Sequence, residues 1–269
     1  RDIIFLSLFL LIISLGCVSA EDVNSTDDVV TNSGVVGDFD DLQELIDNAE
    51  GNMLELDTDY MGSGMITINK DLVIDGKGHY IDADSESCIL YISDCTVVLH
   101  NITFYNAFEA DSSGGAIYSK GVLGVSYCEF YNNRANDGGG AIASYGELYV
   151  ENSVFQNNKA GFCGSIYAEN TAQICNSSFW DESAETEFIY YYGAGSEDSE
   201  FLWLENNTMK SPYYWDVWYE GESPIESPTY LVFGDWTYKT AENVEIAYFV
   251  DNWANSIKLD FIYVEIYDN

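Results

Sequence analysis

Apolar and polar residues alternate in short runs between about residue 53 and residue 210, and these runs recur about every 25 residues. Each unit contains a phrase that ends on an aromatic residue and a phrase of the form GGAI. The aromatic positions are Phe104, Phe130, Phe155 and Phe179. Alternation with a period of two is typical of strands, and so short a unit can bury its apolar side only by stacking on copies of itself. The pattern predicts an all-β fold, a parallel β-solenoid in which equivalent residues form columns.

The residue types at the repeated positions indicate what each column does. We expect the four phenylalanines to stack inside the solenoid, beside a second inward column formed by Ile117, Ile142 and Ile166. Asparagines recur three places before the aromatic position and just after it, and their amides suit ladders that satisfy the backbone of the turns. These asparagines are Asn101, Asn152, Asn176 and Asn206 before it, and Asn106, Asn132, Asn133, Asn157 and Asn158 after it.

Four Asn-x-Ser/Thr sequences are potential glycosylation sites, at Asn24, Asn101, Asn176 and Asn206. Three of them coincide with the repeated asparagine, for which a structural role is the better interpretation. Asn24 lies in a polar stretch that gives it no competing role. It is therefore the site at which we expect a glycan if the chain carries one.

The first 20 residues have the pattern of a secretory signal peptide. Residues 3–15 form an apolar run that is too short for an ordinary membrane span, and small residues precede the expected cleavage point after Ala20. We therefore expect a secreted protein at the cell surface. Residues 21–38 are polar and predicted to be disordered, and residues 39–210 are predicted to hold the solenoid with its N-terminal cap. The cap is a short helix over residues 40–48 whose apolar face contains Leu42, Leu45 and Ile46.

The composition changes after residue 210. Three prolines punctuate residues 211–228, which we interpret as a linker, and residues 229–269 contain alternating runs typical of half-buried strands. These roughly 40 residues are too few for an immunoglobulin-like sandwich, which takes about 100. We therefore expect a small, incomplete, β-sandwich-like module, and we interpret the chain as a fragment.

The chain contains 46 acidic and 9 basic residues, a formal net charge of -37. So acidic a surface repels nucleic acid and anionic lipid, which excludes nucleic acid as a partner. The simplest role of the charge is to keep a repetitive β protein soluble. Loosely bound divalent cations are compatible with it. The sequence has no nonapeptide calcium repeat and no EF-hand loop, and we expect no specific metal site and no cofactor.

Five cysteines follow the signal sequence, and their spacing fits no zinc motif. They are Cys88, Cys95, Cys128, Cys163 and Cys175. Burial as small core residues and pairing in disulfides both stay open. Burial is favoured because Cys163 occupies a corner that holds glycine in the other units, and because Cys128 lies two places before the aromatic column.

The phrases GGAIYS, FYNN, GGAIAS and FQNN resemble the repeat of chlamydial polymorphic outer-membrane proteins. The wider order of a signal sequence, FDDLQELIDNAEGN, LVIDGKGHYIDA and then the repeats is similar to adhesin-like surface proteins of methanogenic archaea. The resemblance covers about residues 1–210. It implies a right-handed parallel β-helix, exported to the cell surface, that attaches to other cells or to host glycans. The resemblance transfers no catalytic residue to this chain.

An aromatic cluster after the clear repeats provides the candidate ligand-binding residues. Exposed rings can stack on the faces of sugars. Trp215 and Trp218 are the first choice, together with Tyr213 and Tyr214. The alternative, which the sequence favours, is that these rings cover the last coil as a hydrophobic cap.

Two other functions stay open beside a non-enzymatic adhesin. Parallel β-helices also host polysaccharide lyases and glycoside hydrolases, which need a basic residue beside cation-binding acids, or carboxylates at set separations. Arg134, His79 and His100 are the groups available, and none has an obvious partner in the repeat register. The other alternative is a purely structural surface spacer.

Overall fold

The computed structural model describes residues 36–180, 188–193, 201–205, 207–210, 217–221, 229–233, 236–240, 246–250, 257–260 and 265–266. Within these residues a series of short strands follows one helix, and most strands pair in parallel. Each turn of the chain, here called a coil, contributes one strand to each of three sheets, named A, B and C. The predicted parallel β-solenoid is therefore confirmed.

The described strands are assigned to the sheets as follows. Sheet A contains β2 (Tyr60–Met61), β5 (Tyr80–Asp82), β8 (Thr103–Tyr105), β12 (Glu129–Tyr131), β16 (Val154–Gln156), β19 (Ser178–Trp180) and β22 (Thr208–Lys210). Sheet B contains β1 (Met53–Glu55), β4 (Leu72–Asp75), β7 (Thr96–His100), β11 (Val122–Ser126), β15 (Leu148–Glu151), β18 (Ala172–Cys175), β21 (Phe201–Glu205), β24 (Thr229–Phe233), β25 (Trp236–Thr240), β26 (Ile246–Val250) and β28 (Glu265–Ile266). Sheet C contains β3 (Ile66–Ile68), β6 (Leu90–Ile92), β10 (Ile117–Ser119), β14 (Ile142–Ser144), β17 (Ile166–Glu169), β20 (Ile189–Gly193), β23 (Val217–Gly221) and β27 (Ile257–Asp260). A two-stranded sheet pairs β9 (Phe108–Glu109) with β13 (Arg134–Ala135).

Two columns of apolar side chains fill the centre of the solenoid. Strand register places the four repeated phenylalanines opposite one another in β8, β12, β16 and β19. Their neighbouring ring centroids lie 4.9, 4.7 and 4.7 Å apart, with interplanar angles of 12°, 3° and 6°. The isoleucines at 117, 142 and 166 pair in the same way, and the column continues to Ile189. Every side chain in both columns is buried.

Helix α1 (Phe39–Asn48) covers the first coil, as the amphipathic pattern predicts. Phe39, Leu42 and Ile46 are buried, and Leu45 is partly buried against the core. Asp38 caps the helix, because its side chain accepts the Asp41 N–H at 2.8 Å while the Asp41 carboxylate accepts the Asp38 N–H at 3.1 Å.

The same helix also occupies the free edge of sheet C. The Gln43 side chain accepts the N–H of Thr67 at 2.7 Å and donates to its carbonyl at 3.1 Å. Thr67 is the central residue of β3, which is the terminal strand of the sheet. One amide side chain thus satisfies the two backbone groups that a preceding strand would otherwise satisfy.

The column of Asn101, Asn152 and Asn176 sets the backbone of the turn from sheet B to sheet A. Their φ angles are 53°, 50° and 50°, in the left-handed region that asparagine tolerates better than most residues. The ladder of side-chain hydrogen bonds lies one residue further on. There the Ser153 hydroxyl accepts the Cys128 N–H at 3.2 Å, and the Ser177 hydroxyl accepts the Ser153 N–H at 3.1 Å. Asn206 lies outside the described residues, but Asn207 continues the ladder by accepting the Ser177 N–H.

A second ladder, formed by Asn133 and Asn158, is fully buried and follows sheet A. The Asn158 Oδ1 accepts both the backbone N–H and the side-chain Nδ2–H of Asn133 at 3.0 Å, and its Nδ2 donates to the Phe130 carbonyl at 3.0 Å. Asn133 repeats this arrangement one coil earlier, with the Ala107 N–H and the Phe104 carbonyl. These amides satisfy buried backbone groups where the chain leaves the sheet.

The parallel pairing extends past residue 210. Strand β23, which falls in the segment interpreted as a linker, pairs in parallel with β20. Strands β26 and β27, from the segment expected to form an immunoglobulin-like module, pair in parallel with β21 and β23. Only β24, β25 and β28 introduce antiparallel pairs among the described residues. The solenoid sheets therefore take up strands that the sequence analysis assigned to a separate module.

Cys88, Cys128 and Cys163 are buried, as the favoured interpretation expects, and Cys95 and Cys175 are partly exposed. Burial raises the pKa of the Cys88 and Cys128 thiols to about 12 from an ordinary value of 9.0. A thiol with so high a pKa is protonated and unreactive at neutral pH.

We expect Asn158→Ala to lower the free energy of unfolding by about 1–3 kcal/mol, because it leaves the Asn133 N–H and the Phe130 carbonyl buried without their partner. The neighbouring Asn157 provides a matched control, since its φ is 57° and glycine adopts this region freely. Asn157→Gly should change the free energy by less than about 0.5 kcal/mol. Urea unfolding measures both, and equal losses in the two variants would contradict the ladder.

Stability should fall as the pH rises from about 9 to about 12. In this range the Cys88 and Cys128 thiols lose their protons in the unfolded state and keep them in the folded state. The unfolded state therefore binds fewer protons. The free energy of unfolding falls by roughly 1.4 kcal/mol per pH unit for each thiol. Urea unfolding of the Cys88→Ala, Cys128→Ala double variant at several pH values should show a flatter dependence. Cys175→Ala, at a partly exposed thiol, is the control. An unchanged slope in the double variant would refute the assignment.

Candidate binding surface

The outer face of sheet C carries a row of five partly exposed tyrosines, here called the tyrosine ladder. Its members are Tyr91, Tyr118, Tyr145, Tyr167 and Tyr190. Their neighbouring ring centroids lie 5.7, 5.0, 5.5 and 5.7 Å apart. The ladder therefore runs without a break along five successive coils.

Strand alternation places most of these rings on the outside. In β10, Ile117 and Ser119 are buried and Tyr118 between them is partly exposed, and β6, β17 and β20 follow the same rule. Strand β14 is the exception, because the register puts Ala143 opposite Tyr118. Tyr145, from the turn after β14, fills the place above this alanine. The ladder is thus continuous in space although the repeat is interrupted in sequence.

The orientation of the rings decides what they can offer a ligand. Tyr91 and Tyr118 stack at 15°, as do Tyr167 and Tyr190 at 18°, so these pairs cover each other's faces. Tyr145 is tilted by 30° from Tyr118 and by 51° from Tyr167. The ladder therefore presents ring edges and hydroxyls along its length and opens a wedge beside Tyr145.

Phe162 flanks the ladder from the side. Its ring centroid lies 5.7 Å from that of Tyr167 and 5.4 Å from that of Tyr190, at angles of 79° and 65°. It belongs to the arm loops, residues 106–116, 132–141 and 157–165, which connect sheet A to sheet C in three successive coils. A Cβ on Gly138 in the neighbouring arm loop would lie 2.6 Å from the Phe162 ring. Glycine at that position is therefore required for this ring placement.

Close stacking of the arm loops also explains the GGAI phrase. A Cβ on Gly115 would lie 2.0 Å from the Gly140 carbonyl oxygen, and one on Gly140 would lie 2.2 Å from that of Gly164. The second glycine of each phrase therefore lets the backbones of successive arm loops touch. This contact holds the loop that carries Phe162 against the ladder.

Polar groups accompany the rings of the ladder. The Tyr167 hydroxyl donates to Glu169 Oε1 at 2.6 Å. The Lys120 ammonium lies 5.8 Å from the Tyr91 ring centroid and 6.0 Å from that of Tyr118. Burial, with interactions from Tyr145 and Tyr91, raises the pKa of Tyr118, and burial with the Glu169 bond raises the pKa of Tyr167. These hydroxyls are therefore protonated at neutral pH and able to both donate and accept hydrogen bonds.

A shorter aromatic stripe lies on the outer face of sheet A. Tyr80, Tyr105 and Tyr131 have centroid separations of 6.0 and 5.3 Å. Burial and a hydrogen bond to Glu129 raise the pKa of Tyr131 to about 12. The column then passes through Gln156 to Trp180, whose side chain is 50% exposed. This stripe has no flanking aromatic residue like Phe162 among the described residues.

The aromatic cluster singled out in the sequence lies mostly outside the described residues, which include none of Tyr213, Tyr214 and Trp215. Trp218 is placed by the backbone register, which pairs it with Tyr190 across β20 and β23. The backbone of one predicted ligand-binding residue thus pairs with that of the last tyrosine of the ladder. The ladder itself was missed, although the tyrosine in GGAIYS and CGSIYA was its sequence signal.

Both histidines have partners that the sequence did not indicate. His79 Nδ1 lies 2.9 Å from Asp59 Oδ1, which also accepts the Tyr80 N–H at 3.1 Å. His100 Nδ1 lies 2.9 Å from the hydroxyl of Ser126, its partner in the next coil. Its partner in the preceding coil is Asp75. Ser126 is only 2% exposed, so its hydroxyl cannot reach a substrate as a nucleophile. We interpret both pairs as structural.

Metal-binding groups, membrane-spanning helices and the glycosylation sites remain to be compared with the sequence analysis. The described part of the chain contains no group of three or more His, Cys, Asp or Glu side chains arranged to hold a metal ion. No helix among those residues is long and apolar enough to cross a membrane. Asn101 and Asn176 are exposed at left-handed turns, and Asn24 lies outside the described residues.

Fold and surface together define a parallel β-solenoid repeat protein with an aromatic outer surface. The family model of the Chlamydia polymorphic membrane protein (Chlamydia_PMP) repeat matches residues 127–145. This span runs from the left-handed turn at Tyr127 through β12, β13 and β14 to Tyr145 of the ladder. The resemblance to the chlamydial repeat is confirmed over these residues. Neither the curated proteins nor the solved structures give a match to the chain.

We expect Tyr145→Phe to lower the pKa of Tyr118, because it removes the hydroxyl that helps to raise that pKa. Tyr145→Ala should lower it further, because Tyr118 also loses part of its burial. NMR titration of ring-labelled tyrosine measures both shifts. Tyr131→Phe, on sheet A, should leave the titration of Tyr118 unchanged, and an equal shift in that control would show that the ladder rings are not coupled.

Proposed function

We propose that the protein is a non-enzymatic, secreted adhesin of the cell surface that binds glycans, or the surfaces of other cells, through the tyrosine ladder. The observation that carries this proposal is the unbroken row of partly exposed rings on one face of a rigid solenoid. The packing of the solenoid core needs apolar side chains on the inside, whereas this row of rings lies on the outer face of sheet C. A contiguous exposed aromatic surface is a common mark of a binding site.

The chemistry of the ladder suits a sugar. Ring edges and the wedge beside Tyr145 offer apolar contact, and the protonated hydroxyls, Glu169 and Lys120 offer hydrogen bonds. Sugars carry both C–H surfaces and many hydroxyls, so a surface that alternates apolar and polar groups is complementary to them. Because parallel strands hold four of the five rings, and Tyr145 contacts the rings of Tyr118 and Tyr167, little conformational entropy is lost when a ligand binds.

Similarity to the chlamydial polymorphic membrane protein repeat supports a surface location. The order of segments resembles that of adhesin-like proteins of methanogenic archaea, and we include that relationship in the proposal. Loosely held divalent cations would be expected near so acidic a surface. They would serve as counterions and have no catalytic role.

A glycan array and a whole-cell binding screen with the full chain test the proposal. We expect saturable binding that falls by about tenfold or more in the Tyr118→Thr, Tyr167→Thr double variant. Threonine suits the column, since Thr67 occupies it naturally in β3. A matched control, Tyr105→Thr with Tyr131→Thr on sheet A, should bind as the parent does.

The outcomes separate the alternatives. Loss of binding only in a Trp215→Ala, Trp218→Ala variant would move the site to the aromatic cluster of the sequence analysis. Absence of binding to every glycan and cell type would contradict the adhesin and favour the structural spacer. Turnover of a polysaccharide by the parent chain would contradict the non-enzymatic assignment.

A further inference from the structure

Lys120 lies against the tyrosine ladder. It directly follows β10, and its N–H donates to the Ile92 carbonyl at 2.9 Å, which ties its backbone to the preceding coil. Its ammonium nitrogen lies 5.8 Å from the Tyr91 ring centroid and 6.0 Å from that of Tyr118, and these two centroids are 5.7 Å apart. The three points form a nearly equilateral triangle, so the ammonium is shared between the two rings. Cation–π attraction therefore holds the charge beside the ladder.

The charge of Lys120 is not used by an ion pair among the described residues. The ion pairs there involve Lys77, which lies 2.9 Å from both Glu55 and Asp75, and His79. In a chain with 46 acidic and 9 basic residues, a carboxylate of the chain itself would be the most available partner. Lys120 instead has aromatic neighbours and is exposed, so the three N–H donors of its ammonium are available to a ligand.

A carboxylate lies on the other side of Tyr145. The backbone register continues from β10 through β14 to β17, and it gives Lys120, Tyr145 and Glu169 the same position in three successive coils. Glu169 Oε1 accepts the Tyr167 hydroxyl at 2.6 Å, whereas the Lys120 ammonium lies beside Tyr118. The Tyr145 ring contacts both of these tyrosines. Opposite charges thus flank the wedge at Tyr145 without forming an ion pair with each other.

We propose that this part of the ladder binds a sugar that carries a carboxylate, with the carboxylate on Lys120 and the sugar ring against Tyr145. A uronic acid suits the site, because its carboxylate projects from one side of the sugar ring and hydroxyls project from the other. The ammonium donates charge-assisted hydrogen bonds to the carboxylate, and Glu169 accepts a hydrogen bond from a hydroxyl. Glu169 also repels the carboxylate, so the sugar binds in one orientation. This inference rests on the proposed glycan binding.

The net charge of -37 limits the size of the anion. Salt screens exposed charges over about 8 Å at physiological ionic strength, so distant carboxylates act weakly on a group that contacts Lys120. A polyanion would extend beyond the reach of this one ammonium and meet the acidic surface. We therefore expect a single acidic sugar within an otherwise neutral glycan.

NMR of the full chain tests the site directly. Lys120→Gln assigns the Cε–Hε signal of Lys120, and Tyr145→Phe assigns the ring signals of Tyr145. Glucuronate should shift both sets of signals along one saturation curve, and glucose at the same concentration and ionic strength should leave the Lys120 signal unchanged. A shift of Lys120 without Tyr145 would mean that glucuronate acts only as a counterion. That outcome, or the absence of any shift, would overturn the proposal.

Glycan binding by the full chain gives the second test. The parent should bind a carboxylated glycan about tenfold more tightly than its carboxyl-reduced form. Lys120→Gln should abolish this preference, and Lys120→Arg should retain it because arginine keeps the charge. Lys77→Gln removes an ammonium that is already ion-paired, so this control should bind both glycans as the parent does.

The results distinguish the acidic-sugar site from the proposed function. Equal binding of both glycans by the parent would overturn the acidic-sugar site and leave the proposed function intact. Binding of neither these nor any other glycan would overturn both. An unchanged preference in Lys120→Gln would show that another group binds the carboxylate, which contradicts the assignment to Lys120.

Discussion

Parallel hydrogen bonding between successive coils is the constraint on which the rest of the structure depends. It fixes neighbouring rungs about 4.8 Å apart and places each side chain beside its equivalent in the next coil. Only residues that are compatible with a near-copy of themselves can occupy such a column. Phenylalanine satisfies this condition by stacking, and its rings lie 4.7–4.9 Å apart, close to the spacing of the rungs. Asn133 satisfies it by accepting from the preceding coil and donating to the next. The serines accept a backbone N–H of the preceding coil and donate to a carbonyl of their own coil.

The same constraint explains how much the sequence could predict. The phenylalanine and isoleucine columns were predictable because their positions are apolar in every clear repeat, so that their period is visible. The hydrogen-bonded ladder next to Asn152 was harder to locate, since Ser153, Ser177 and Asn207 are not all of one type and share only a side-chain oxygen that accepts a backbone N–H. The asparagines themselves recur mainly because the turn needs a left-handed residue, and Tyr127 shows that the requirement is conformational.

The binding surface was less predictable than the core for a related reason. Outward positions tolerate any residue, so their pattern is weak, and the ladder depends on Tyr145 entering from a turn where the register supplies Ala143. Tyr145 comes two residues after Ala143, so the repeat pattern does not show that its ring continues the ladder. Contacts between coils that are not at equivalent positions, such as His79 with Asp59, are equally invisible to a repeat pattern. The strands after residue 210 were assigned to another module because their aromatic-rich sequence no longer resembles the repeat, although the backbone pairing continues.

The bond between Gln43 and Thr67 gives the stack a direction. A solenoid is built from interchangeable layers, and any layer with open backbone groups is a template on which another strand can form. At the edge of sheet C beside the helix, the Gln43 side chain bonds the N–H and the carbonyl of Thr67. Gln43 lies in the helix, so it presents no strand backbone with which another strand could pair. A single amide thereby acts as a terminator of polymerisation on that edge, and it makes one end of a repetitive molecule chemically different from its interior.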